Sequence, residues 1–137
     1  MGKKLFEFEN FEIYQRALDF ADNMYELTEE YPKPERYGLC SQLQRSAVSV
    51  ANNLAEGYSR YSKKDKTKYY KIAKGSAQEC VPALTISYRR KYIKKEDFDE
   101  MYKECFEISR RIAGLIKSVQ NRGKKGKETL HHSNNCQ

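Results

Sequence analysis

Apolar residues recur along the chain in steps of three and four through four separate runs, a spacing that predicts four amphipathic helices. The first spans Asn10 to Glu30 and stops before Tyr31-Pro32, because a residue preceding proline avoids helical angles. It carries two stripes: Phe11, Tyr14, Leu18, Ala21 and Tyr25, and beside them Ile13, Ala17, Phe20, Met24 and Leu27. Together they exceed the roughly 100° face that one helix ordinarily buries, so burial against another subunit is expected there. The second helix, Glu35 to Tyr58, runs along Leu39, Leu43, Ala47, Val50 and Leu54. Ser62-Lys63-Lys64-Asp65 resembles a capping box and starts the third. That helix runs to Lys91 along Tyr70, Ala73, Ala77, Val81, Leu84 and Tyr88, with Pro82 inside it as a predicted kink. The fourth holds a heptad seam of Phe98, Met101, Cys105, Ile108, Ile112, Leu115 and Val119.

Long amphipathic helices with short connections imply antiparallel neighbours, hence an all-α, up-down-up-down four-helix bundle. The expected boundaries are an N-terminal extension over 1–9, the bundle over 10–121, and a basic, Gly-interrupted disordered tail over 122–137. At 137 residues, with only three prolines and seven glycines, the composition fits one helical domain. No run approaches the roughly 18 apolar residues of a membrane span, and no signal-peptide core follows Met1. Cys40, Cys80, Cys105 and Cys136 lie far apart, as expected of reduced thiols in cytoplasm.

Familiar catalytic and metal patterns are missing. There is no phosphate-binding glycine loop and no Glu-x-x-His pair for a di-iron bundle. The two histidines, His131 and His132, sit in the tail, where with Cys136 they would make at best a weak chelate. Neither a cofactor nor a catalytic residue is expected.

One stretch, Ser49 to Arg60, looks chemical. On a helix, Gln42, Ser46, Ser49, Asn53, Glu56 and Arg60 form a polar stripe beside the apolar one. A hairpin turning near Tyr61 sets this stripe opposite Gly75, Ser76 and Glu79. The expectation is an Arg45–Glu79 ion pair, hydrogen bonds from Ser49, Asn53 or Ser76, and close helix approach at Gly75 and Ser76. A ligand pocket is the competing reading.

Charge is unevenly spread. Residues 1–59 hold six Lys/Arg against ten Asp/Glu, and residues 60–137 twenty against nine, for a net +7 overall. A basic second half suits a polyanion, or self-association with the acidic first half. Arg60, Lys63, Lys64, Lys66, Lys68, Lys71 and Lys74 face only Asp65, interleaved with Tyr58, Tyr61, Tyr69 and Tyr70. Arg89, Arg90, Lys91, Lys94 and Lys95 form a second cluster, and Arg122, Lys124, Lys125 and Lys127 a third. Cations neutralise phosphates and exposed tyrosines stack bases, so RNA or DNA is the expected ligand. The plainer alternative is a solvated helix face on an interaction scaffold.

Glu35–Arg60 (ERYGLCSQLQRSAVSVANNLAEGYSR) and Tyr69–Glu79 (YYKIAKGSAQE) resemble the small bacterial four-helix-bundle proteins associated with intervening sequences in 23S ribosomal RNA genes. Accessory variability proteins of diversity-generating retroelements belong to the same group. The resemblance implies a cytoplasmic, non-enzymatic bundle that assembles as a ring-like homopentamer; in the retroelement branch, the basic ring is similar to a nucleic-acid-binding barrel that also engages a reverse transcriptase. Arg36, Tyr37, Gly38, Leu39, Ser49, Asn53, Ala55, Glu56, Gly57, Gly75, Ser76 and Glu79 match the pattern and look like fold positions. Two departures are Ala51, where many members carry proline, and Pro82 in the third helix.

Overall fold

The computed structural model describes residues 2–131, with side chains described through Arg122. Its helices are α1 (Glu12–Thr28), α2 (Ser41–Ser59), α3 (Lys63–Arg89) and α4 (Lys95–His131), and the described residues contain no strand. Each helix runs antiparallel to the one before it. Phe11 meets Tyr58 while Gln44 bonds Thr28, pairing the start of α1 with the end of α2. Ser49 meets Ser76 in the next pair. Between α3 and α4, Lys63 reaches Gln120 and Tyr88 stacks on Phe98. Arg16–Glu104 and Glu12–Arg111 close α1 onto α4, also antiparallel. The up-down-up-down bundle is therefore the observed architecture.

The predicted seams supply the core. Phe20, Met24, Leu43, Val50, Leu54, Leu84, Ile108 and Ile112 are fully buried, each contributing about 1.5–3 kcal/mol relative to exposure. On α1 the Ile13–Met24 stripe faces inward, while Tyr14 and Leu18 are half-buried and Tyr25 is exposed. Cys40, Cys80 and Cys105 are buried free thiols. No helix among the described residues is long and apolar enough to cross a membrane.

Boundaries differ in three places. The chain enters α2 through a 3-10 turn, Lys33–Glu35, and a π-turn, Arg36–Cys40, rather than as one helix from Glu35. Gly38, at φ −109° and ψ −109°, is non-helical, so the two helical segments meet at a kink there. Helix α3 passes Pro82 unbroken; Pro82 and Gln78, whose carbonyl loses its donor, are both exposed. The backbone of α4 is helical over Lys95–His131, past the expected boundary at Asn121. His132 and Cys136 of the supposed chelate lie outside the described residues, as does the side chain of His131.

Ser62 caps α3, its Oγ accepting from the Asp65 amide at 3.0 Å. At the other end Lys91 adopts φ 66°, with Tyr92 N–H reaching Ser87 O at 2.9 Å and Lys91 N–H reaching Tyr88 O at 2.9 Å. This is a Schellman turn with lysine where glycine is usual.

Candidate nucleic-acid interface

The polar stripe of α2 is a helix seam. Ser49 Oγ lies 2.8 Å from Ser76 Oγ, and Asn53 Nδ2 donates to Ser49 Oγ at 3.0 Å and to Ser49 O at 2.9 Å. With Asn53 donating, the Ser49 oxygen keeps a second lone pair, so either serine hydroxyl can serve as the donor in the Ser49–Ser76 bond. Glu56 pairs with Arg60 one turn on, along the helix rather than across it.

The Arg45–Glu79 pair is not formed among the described residues. The true register places Ser49 against Ser76, about one turn from the expected alignment; Arg45 and Glu79 come nearly level in it but lie on the exposed faces of their helices. Interhelical ion pairs form instead between α1 and α4: Arg16–Glu104, bidentate at 2.7 and 2.8 Å, and Glu12–Arg111 at 3.4 Å. Gly75 is not the close-approach residue either: a Cβ there would meet nothing within 4 Å. That role belongs to Gly57, where a Cβ would sit 2.6 Å from Tyr70 Cε1. Tyr70 is buried, its hydroxyl pushed up to about 12 chiefly by burial.

The basic residues divide into groups. At the end of the bundle where α3 begins, Lys63, Lys64, Thr67, Lys68, Lys71 and Gln120 line a trough of about 380 Å³ between α3 and α4. No carboxylate lines it. Lys63 Nζ is held on Gln120 O at 3.2 Å, while Lys64, Lys68 and Lys71 stand exposed and outside every ion pair among the described residues. The amino end of α3 adds the partial positive charge of its unpaired N–H groups. Arg122 completes this end, close enough to Lys66 that its charge, after burial, helps lower the Lys66 pKa.

Other predicted contacts are already occupied. Lys66 is half-buried and donates to Tyr58 O at 2.8 Å and Gly57 O at 3.2 Å, closing the last carbonyls of α2. Arg60 is paired with Glu56 and lies over the Tyr69 ring at 5.0 Å, with Lys68 5.2 Å from the same centroid. Lys66 covers Tyr58 at 5.6 Å. Of the interleaved tyrosines only Tyr61, fully exposed, is free to stack. Lys74 turns into a neighbouring groove with Val81, Phe106 and Arg110.

Arg89, Arg90 and Lys91 belong to the far end of α3, roughly 30 Å from the trough at 1.5 Å per residue. That end also carries Glu29, Glu30, Glu96 and Asp97, so its net field is weak. The side chains of Lys124 and Lys125 lie outside the described residues. Thr67 and Gln120 went unnoticed in the sequence. Thr67 sits one turn from both Lys63 and Lys71 and was legible; Gln120 arrives from another helix and carried no signal.

A model of the family described as 23S rRNA-intervening sequence protein matches residues 9–114. The chain belongs to that family. A solved structure from the S23 ribosomal protein family of Bacteroides thetaiotaomicron, itself a protein of unknown function, is similar with a TM-score of 0.71 at 24% identity. The match covers 77% of this chain and 95% of that one, and shows a shared fold. No curated protein matches this chain. The family match takes in α1 to α3 and most of α4, and so includes Lys63–Lys71 but not Gln120 or Arg122.

Proposed function

We propose that this family member is a non-enzymatic, homo-oligomeric accessory protein that binds nucleic acid through the α3–α4 trough. The carrying observation is the carboxylate-free row Lys64, Lys68 and Lys71, exposed and unpaired at one end of the bundle. Such cations neutralise phosphates and release counterions, giving affinity with little sequence preference.

Titration of labelled RNA and DNA tests it. About four neutralised phosphates predict roughly a hundredfold loss of affinity on raising salt from about 50 to 200 mM. No binding at low salt overturns the reading.

Self-association draws support from exposed apolar side chains on α3 and α4. Tyr88, Phe98 and Tyr102 stack at 5.1 and 5.7 Å, and Phe106 beyond them is 66% exposed. Exposed aromatic runs of this kind mark protein contacts, and a second copy is the proposed occupant, five copies by resemblance. Light scattering at micromolar concentration tests this, and a monomeric mass overturns it.

A further inference from the structure

We infer that the trough's ligand is duplex rather than single-stranded nucleic acid, an inference that rests on the nucleic-acid reading above. Sequence-tolerant single-strand sites combine a basic groove with aromatic rings on which successive bases stack. Here the basic groove is present, and among the described residues the tyrosines interleaved with it form no such platform. Tyr69 has Arg60 and Lys68 over its ring, Tyr58 is covered by Lys66, and Tyr70 is buried beneath Gly57. The cation–π contacts hold these rings as supports for the cations, leaving Tyr61 as one isolated ring.

What the trough offers is a set of phosphate donors: four ammonium groups, the Thr67 hydroxyl and the Gln120 side-chain amide. From Lys64 to Lys71 the row covers about 10 Å of helix, which matches about three phosphates of one duplex strand at 3.4 Å of axis each. With Lys63 or Arg122 reaching a further phosphate, about four are neutralised. A site that reads charge density favours the polymer with more of it. The salt slope is about −0.9 per phosphate for duplex against −0.7 for single strands. For four contacts at about 50 mM salt, that difference amounts to roughly tenfold in favour of duplex.

The full-length protein is titrated with a fluorescent RNA duplex of about 20 base pairs, with the corresponding DNA duplex, and with an unstructured single strand of equal length, at about 50 mM salt. The expected result is roughly tenfold tighter binding of both duplexes, with Tyr61→Ala leaving duplex affinity unchanged. Single-strand binding as tight as duplex overturns the duplex inference while leaving the nucleic-acid reading standing. A duplex affinity that falls with Tyr61→Ala also overturns it, by showing that ring contacts matter. Failure to bind any of the three removes the nucleic-acid reading itself.

Discussion

Replacing Gly57 by alanine adds a single methyl group at the tightest point of the α2–α3 seam. Its Cβ would lie 2.6 and 2.7 Å from Tyr70 Cε1 and Cδ1 and 3.3 Å from Tyr69 Cβ. Tyr70 is 2% exposed, and its ring packs 6.3 Å from Phe11, so it has little room to retreat. Overpacking of this kind costs about 1–3 kcal/mol, against a helix-propensity gain below about 1 kcal/mol so close to the end of α2. The net expectation is a loss of about 1–2 kcal/mol, a fall in melting temperature of several degrees. Gly75→Ala is the internal control: its Cβ meets open space in mid-helix, so it should stabilise by about 0.8–1 kcal/mol. Thermal melts by circular dichroism at equal protein concentration measure both. A Gly57→Ala variant melting at or above the parent refutes the reasoning.

Further predictions concern the seam, acid and the α3 terminus. A double-mutant cycle on Ser49→Ala and Ser76→Ala should give a coupling of about 1 kcal/mol in urea unfolding, whereas Arg45→Ala and Glu79→Ala, both exposed, should each change stability by under about 0.5 kcal/mol. Hydrogen bonds from Arg110 and then Arg111 hold the Glu107 carboxyl down to about 2. A depressed carboxyl stabilises the fold above its unfolded pKa, so that stability should be lost as pH falls from about 4.5 toward 2. Glu107→Gln should flatten this part of the stability profile. Lys91→Gly should raise stability by about 1 kcal/mol, because left-handed backbone at φ 66° carries a cost that glycine avoids; a lower melting temperature would contradict it.

Periodicity was enough for the fold because each seam buries a single stripe: the 3,4-step run on α4 places Met101, Cys105, Ile108, Ile112 and Val119 in the core as expected. Register was harder. Hairpin alignment depends on where the turn closes and was off by about one turn, but Glu79 misses the seam because it lies on the exposed face of α3, whereas Ser76 lies on the buried face within reach of Ser49. Close approach was assigned to the wrong glycine for a related reason, since Gly57 matters through the Tyr70 ring it faces on another helix. For the basic site, the run from Lys63 to Lys71 was legible. Proximity along the chain concealed that Arg89–Lys91 lies at the opposite end of a 27-residue helix. Nor does a string of Lys and Tyr reveal which rings are already covered by cations of the same fold.

The central claim is tested most directly by comparing two triple charge reversals for nucleic-acid affinity at low salt. Lys64→Glu/Lys68→Glu/Lys71→Glu alters the trough, and Arg89→Glu/Arg90→Glu/Lys91→Glu alters the far end by the same six units of charge. The first should abolish RNA and DNA binding, while the second should leave affinity within a few-fold of the parent. Equal losses from both variants would mean that binding follows net charge rather than the trough, and would contradict the account.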